Sequence, residues 1–579
     1  MKAESGKGKS KPVSQGVEFS WGVPIPLRDG TRLNATVYRP KGDVRVPVIF
    51  TLTPYVADTY HERSYYFAQN GYAFALVDCR GRGNSGGSFE PLANEGRDGY
   101  DVVEWLARQS WSNGRVAMWG GSYAGFDQWS TLKEFPLHLK TIVPAASCHP
   151  AVDFPFIRNI WYSYNMQWLT VTSGRTANMA LWSDNPFWIE KFQEHYLGQR
   201  PYRELDKTVG NTSTIFQKWL KHPAPDSFWN SMVPNPQDYR RIKIPILTIT
   251  GQYDGDQPGA LEFYKRHMRH GSTWARQHHY LVIGPWDHPG TRTPKREVGG
   301  LTFGEASLVD LNKLHKEWYD WTLKNGPRPA FLKKRVAYYV TGAEEWKYAN
   351  NLEEVSRKKQ TLYLSEGNPS MGAFSSRVLQ KEKPKAQQPD EFVNDPLDTR
   401  QADVEKDDVK NFLTDQRYAI NLFGDGLAYH SKRFTEETEL TGFLQLSAWI
   451  SLDVPDTDFW VRLYEIKLDG TSIFLTEDFL RARYRESLTT PKLVRTGEIE
   501  RYEFNNFYFF SRRIAKGSVL RLVIRSPNSV YWQKNYNSGK QVAEESAADA
   551  RTAHVRVYHD PKHPTFLELS TVKPINFAA

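Results

Sequence analysis

The sequence predicts an α/β unit interrupted by a helical insertion and followed by an all-β domain, and three observations lead to it. Nearly continuous apolar runs (VPVIFTLT, GYAFALVDC, RVAMWGG, IPILTITG, HHYLVIG) recur in the first part of the chain, the mark of parallel strands buried on both faces. Amphipathic stretches at helical spacing lie between them, which is the alternation of an α/β layer. Beyond about Arg335 the pattern becomes short strands set apart by turn clusters, as in a sandwich or jelly roll.

Taken in order, residues 1–16 read as a solvated tail, because the basic cluster Lys2 to Lys11 is broken by Gly, Ser and Glu4. From Val17, EFSWGVPIPLRDGTRLNATVYRP alternates apolar and polar residues around Asp29-Gly30 and predicts an antiparallel hairpin. It opens the first part of the α/β core, 17–145, in which Arg97 to Gln109 sets Tyr100, Val103, Trp105 and Leu106 on one helical face. Residues 146–240 carry Trp161, Trp168, Trp182, Trp188, Trp219 and Trp229 in amphipathic stretches with no clear strand, the helical insertion. The core resumes over 241–335 and closes on the amphipathic stretch Leu308 to Leu323; VAYYVTG, QTLYLSEG, LQLSAWISLD, FWVRLYEIKLDG and SVLRLVIRS then belong to a β domain at 336–579, with Gln380 to Glu391 a loop.

With 579 residues the chain is long enough for about three to five domains, and 40% hydrophobic and 14% aromatic residues are enough to build real cores. The net charge of +9 is spread among 75 basic and 66 acidic residues and not massed, which speaks against nucleic acid as a partner. No apolar run approaches the roughly 18 residues that span a bilayer. Two cysteines, Cys79 and Cys148, encode no disulfide framework and are expected free. The first residues hold charge but no hydrophobic region or cleavage site, so a cytoplasmic address is expected, with export as the alternative if the numbering begins after processing.

The chemistry begins at RVAMW-Gly120-Gly121-Ser122-Tyr123-Ala124-Gly125. A serine in a tight strand-to-helix turn needs small neighbours, because the strained backbone pushes Oγ into the open and leaves no room beside it. The second glycine here stands three residues after the serine, one further than in the generic elbow. A serine hydroxyl needs a histidine to take its proton and a carboxylate to hold that imidazole. ILTITGQYDGD puts Asp254 just beyond one buried strand and YLVIGPWDH puts His288 just beyond the next, with Asp256 and Asp287 as rival carboxylates. An oxyanion hole would take the backbone N–H of Tyr123 and a second donor from the loop after VPVIFTLT, where Tyr55 sits.

LTPY, VDCRGRGNSGG, WSNGRVAMWGGSYAG, GQYDG and GPWDH, with the later DTDFWVRLYEIKLDG, RARYR and KGSVLRLVIRS, resemble the X-Pro dipeptidyl-peptidase and cocaine esterase family, which includes α-amino acid ester hydrolases and glutaryl acylases. The resemblance runs from about Glu18 to Ser570. Its elbow is Gly-x-Ser-Tyr-x-Gly, which accounts for the displaced glycine. It implies an α/β-hydrolase domain, a helical cap formed by the insertion, and a C-terminal jelly roll, with Ser122 as nucleophile, Asp254 and His288 as its partners, and Tyr55 with Tyr123 as the oxyanion hole. Asp78, Arg80, Gly81 and Gly83 read as a structural loop, and Asp456, Asp458, Arg483 and Arg485 as ion pairs bracing the β domain. Trp460 and Trp532 read as core or interface aromatics and not as a sugar platform.

The expected activity is hydrolysis of an ester or amide through an acyl-enzyme, with X-Pro dipeptide release as the alternative and a silent binding protein behind both. An α-ammonium would need acids beside the scissile bond. Asp256 fits that need, Gln257 takes the next place where amino-ester hydrolases carry an acid, and Asp153 is the cap's contribution. Phe154, Phe156, Trp161, Tyr162 and Trp168 read mainly as the cap's own core, with a minority of them lining an apolar acyl pocket, for which Phe154, Trp161 and Trp168 are the candidates. The expected partner is a small ester, amide or short peptide, without nucleic acid, membrane, cofactor or metal; a homo-oligomer stays open.

Overall fold

The computed structural model describes residues 16–355, 358–367 and 376–578, so the tail assigned to 1–16 lies outside them but for its last residue. Strands β1 (Val17–Pro26) and β2 (Arg32–Pro40) form the expected hairpin, with Gly30 at φ 85° in the turn. Seven strands then run parallel: β3 (Val46–Thr53), β4 (Ala73–Asp78), β5 (Ser112–Gly121), β6 (Leu139–Ala145), β7 (Ile246–Tyr253), β8 (His279–Asp287) and β9 (Val336–Val340). With β10 (Glu345–Ala349) antiparallel at the edge, their spatial order is β1-β2-β4-β3-β5-β6-β7-β8-β9-β10.

Strand side chains alternate between two cores, as the period of two requires. Val48, Phe50, Val116 and Met118 face α2 (Glu95–Ala107), α3 (Tyr123–Leu132) and α6 (Gln257–His270), whereas Ile49, Ala117, Trp119 and Leu247 face α1 (His61–Gln69) and α7 (Leu311–Lys324). Between β6 and β7 the insertion opens with a small hairpin, Phe156–Ile157 against Ile160–Trp161, and continues as helices including α4 (Tyr164–Thr172) and α5 (Asn185–Leu197). Trp161, Trp168, Trp188, Trp219 and Trp229 are buried and continue the core that Val48, Phe50, Val116 and Met118 form on that side of the sheet.

The C-terminal domain is all-β, and among the described residues eleven of its strands are linked through shared pairings. Leu446, Ile450, Phe459, Tyr502 and Leu522 centre its core. VAYYV, at the start of the span 336–579 expected for this domain, is β9 and is hydrogen-bonded to β8 of the first sheet. A strand's own residues do not say which sheet completes its ladder. Of the expected braces, Arg483 pairs with Asp456 at 2.7 Å; Asp458 takes Arg481 at 2.8 Å, and Arg485 pairs with Glu500 at 2.8 Å. Cys79 and Cys148 are free and buried. Among the described residues no helix is long and apolar enough to cross a membrane.

Candidate active site

Ser122 stands between β5 and α3 with φ 62° and ψ −126°, a conformation strained for a residue with a side chain. Its N–H donates to Ala145 O at 2.9 Å, which fixes the turn against β6. The glycines around it are required by close approach. A Cβ on Gly120 would stand 2.7 Å from that of Ala124, and one on Gly125 would stand 2.5 Å from Ser147 Oγ and 2.9 Å from Ala145 O. The glycine three places after the serine is therefore where the first turn of α3 crosses the end of β6.

Asp254 follows β7 and His288 follows β8, neighbouring parallel strands, so both side chains emerge at the same carboxyl edge. His288 Nδ1 lies 2.8 Å from Asp254 Oδ1. Asp254 is fully buried and its carboxylate also accepts the Asp256 N–H at 3.0 Å and the Thr250 hydroxyl at 3.3 Å. Of the rival carboxylates, Asp287 accepts Gly290 N–H at 2.9 Å, and Asp256 Oδ2 comes within 3.7 Å of His288 Nδ1. Burial works to lower the His288 pKa, but the carboxylates of Asp254 and Asp256 outweigh it and the net displacement is upward.

Tyr55 stands two residues past β3. Its hydroxyl accepts the Trp168 indole N–H at 3.0 Å, and Tyr55 lines the same cavity as Ser122. Burial holds the phenol well above its usual pKa, so it is a neutral O–H donor. Tyr123 opens α3, and its phenol is turned away to donate to Glu95 and accept Leu92 N–H, leaving only its backbone N–H beside Ser122.

Ser122, His288, Tyr55 and Tyr123 line one cavity of about 600 Å³. Asp153, Phe154, Trp168 and Asp256 line it as well, as does Tyr162. Trp161 does not: it is 1% exposed and packs on Phe156 and the cap core. Trp161 pairs with Phe156 across the small hairpin, and alternation sends the next residue, Tyr162, to the cavity. Phe156 likewise is core and not pocket.

The wall also holds residues that sequence reasoning missed: Tyr164 and Trp182 from the cap, and Glu477, Tyr508, Tyr531 and Trp532 from the β domain. Trp532, expected as an interface aromatic, contacts Phe479 and Tyr162 and faces the cavity. Nothing local marks Glu477, which lies on a β-domain strand and reaches the site only through domain docking. Its Oε2 accepts Arg462 Nε–H at 3.0 Å and Trp460 Nε1–H at 2.9 Å.

Three carboxyls, Asp153, Asp256 and Glu477, thus border one aromatic cavity. Asp153 accepts the N–H of His149 at 2.7 Å and of Gly259 at 2.5 Å, yet burial lifts it to about 8, while burial first and then repulsion from Asp153 and Asp254 lift Asp256 well above the usual carboxylate range. Such a pair ionises most readily around a cation. Gln257, next after Asp256, faces elsewhere: it accepts Phe509 N–H at 2.6 Å and donates to Phe509 O at 2.9 Å, joining the Asp254 loop to the β domain.

Residues 29–290 match the family model of the X-Pro dipeptidyl-peptidase (S15 family), and residues 331–568 match that of the X-Pro dipeptidyl-peptidase C-terminal non-catalytic domain. The chain belongs to the X-Pro dipeptidyl-peptidase family. It is accordingly a serine hydrolase, with an α/β-hydrolase domain and a C-terminal all-β domain. It is similar to the cocaine esterase of Rhodococcus sp. (strain MB1 Bresler), 25% identical over 580 residues that cover 95% of this chain and 98% of that protein. Among solved structures it superposes on an α-amino acid ester hydrolase with a TM-score of 0.81 at 21% identity, covering 99% of this chain and 100% of the other. An aminopeptidase from a marine sediment archaeon, Thaumarchaeota archaeon, gives a TM-score of 0.80 at 22% identity, covering 99% of each chain. At these identities the two structures speak for the fold.

Proposed function

We propose that this protein hydrolyses esters or amides of aromatic or hydrophobic acids, amino acids among them, through an acyl-enzyme on Ser122. The observation that carries the reading is one constellation: Ser122 in a strained elbow on the cavity wall, and His288 on the same wall held by Asp254 at 2.8 Å. His288 Nε2 takes the Ser122 proton as Oγ attacks the carbonyl carbon, and Asp254 holds the tautomer and stabilises the imidazolium. The oxyanion accepts from the Tyr55 hydroxyl and Tyr123 N–H. The imidazolium then protonates the leaving alcohol or amine, and water, activated by the same histidine, releases the acid.

The aromatic wall suits an apolar acyl group, and Asp256 beside His288 is the nearest acid for an α-ammonium. Release of X-Pro dipeptides is the second reading, favoured by the presence of Asp153 and Glu477 on that wall. Fluorophosphonate labelling with peptide mapping tests the nucleophile: label on Ser122, lost in Ser122→Ala, is expected, and full labelling of the alanine variant rejects the assignment. Turnover of a phenylglycine ester, its phenylacetate counterpart and an X-Pro amide separates the two readings. Both esters within roughly tenfold is the expected result; rejection of phenylacetate with rapid X-Pro cleavage selects the second.

A further inference from the structure

We propose that Trp168 and Arg82 are positioning residues of the oxyanion hole, which tie the hydroxyl and the backbone of Tyr55 to the cap and so make cap docking and assembly of the hole one event. The inference rests on the reading of Tyr55 given above.

Arg82 lies in the CRGRG loop after β4 and is fully buried. Among the described residues it has no carboxylate in ion-pair range. Its Nε–H donates to Pro54 O at 2.7 Å and its Nη1–H to Thr172 O at 2.8 Å, while Nη2 has no hydrogen-bond partner. Burying a cation without a counter-ion is costly, and its compensation comes from these two carbonyl dipoles and from the Phe89 ring, whose centroid lies 5.6 Å from Arg82 Cζ. Thr172 is the last residue of α4, where helix carbonyls lack intrahelical partners and the helix dipole favours a cation. Both carbonyls belong to segments that carry the hole: Pro54 immediately precedes Tyr55, and Thr172 is one turn beyond Trp168, whose carbonyl accepts the Thr172 hydroxyl at 2.8 Å.

Trp168 closes the circuit. Its Nε1–H donates to the Tyr55 oxygen at 3.0 Å. An indole N–H can only donate. Tyr55 must therefore accept from the cap, which leaves its own hydrogen for the cavity, on the side of Ser122. The Trp168 ring also stacks on Tyr123 with centroids 5.4 Å apart and planes at 19°, so one cap side chain touches the residues that supply both oxyanion donors. A residue that merely filled the wall would show its effect whatever stood at position 55; one acting through the phenol loses its effect when the hydroxyl is gone.

The test is a double-mutant cycle on the full chain with 4-nitrophenyl acetate, whose small acyl group makes little use of the pocket. Trp168→Phe keeps an aromatic ring and removes the donor; Arg82→Lys keeps the charge and removes the fork. Each is expected to lower kcat about tenfold in the wild-type background and less than about twofold in the Tyr55→Phe background, while Tyr55→Phe alone lowers it about 10²-fold. Equal falls in both backgrounds, or an undiminished kcat in Trp168→Phe with a deficient Tyr55→Phe, overturn the proposal alone. An undiminished Tyr55→Phe overturns the reading of Tyr55 and the proposal with it. Thermal melting accompanies each variant, and if Arg82→Lys does not fold the Trp168→Phe cycle decides.

Discussion

In the mechanism we propose, His288 has to be neutral to accept the Ser122 proton, and its neighbours decide at what pH that state prevails. Because Asp254 and Asp256 stabilise the imidazolium more than burial disfavours it, the acid limb of kcat/KM is expected above the ordinary value of 6.5, with activity rising as pH rises through it. Asp256→Asn removes one of the two acids that favour the imidazolium, so the limb should move to lower pH. A limb that stays in place means Asp256 does not sense the imidazole. The same variant should erase most of any preference for an amino-acid ester while sparing phenylacetate. At this scale the sequence was most legible where a residue follows a strand: Ser122, Asp254 and His288 each stand just beyond an apolar run. It was least legible where one register step decides, as between Trp161 in the cap core and Tyr162 on the cavity wall.

Elements meet at the elbow with no spare volume, and Gly125 shows how little. Alanine there brings a Cβ to 2.5 Å from Ser147 Oγ and 2.9 Å from Ala145 O, so α3 has to lift off β6 and take Ser122 with it. Overpacking of this kind costs typically about 1–3 kcal/mol. Gly125→Ala is expected to lower the melting temperature and to slow fluorophosphonate labelling of Ser122 together. The Ser147 hydroxyl has no hydrogen-bond partner, so adding Ser147→Ala removes the nearer clash cheaply and should restore part of both properties, the contact with Ala145 O remaining. No recovery would place the strain at the backbone, at Ala145 O and at Ser147 Cα, 3.0 Å from that Cβ. The parallel core and the cap could be read from periodicity, but β9 could not be assigned to its sheet, because VAYYV has the same composition as the jelly-roll strands and only its pairing with β8 distinguishes it.

In the whole molecule, the candidate cavity is walled by core, cap and β domain, and the β-domain side is held in place beside Asp254. Gln252 and Gln257 flank Asp254; Gln252 accepts Ser511 N–H at 2.8 Å, and Gln257 exchanges two hydrogen bonds with the Phe509 backbone. Tyr508, on the cavity wall, is adjacent in that segment. None of this could be read from the GQYDGDQ motif, since the partners are more than two hundred residues away and meet only after two domains fold. Gln257→Glu tests the connection. The amide nitrogen faces three carbonyl oxygens, of Phe509 at 2.9 Å, Gly251 at 3.1 Å and Gln252 at 3.3 Å, and the side chain is fully buried. A protonated carboxyl can replace the amide there, donating one hydrogen and accepting Phe509 N–H; a carboxylate cannot. Burial and the three carbonyls therefore raise the folded-state pKa of the carboxyl that Gln257→Glu introduces above its unfolded value. A group with a raised folded pKa gives its stability below the unfolded pKa and loses it as pH rises through the folded one. The melting gap between wild type and Gln257→Glu should accordingly be small near pH 5 and widen toward pH 8, where an uncompensated buried charge costs about 3–5 kcal/mol. The new acid should bring no gain in preference for amino-acid esters, because position 257 points into the domain joint and not into the cavity. A gap independent of pH, or a gain in amino-ester selectivity, would return position 257 to the substrate side.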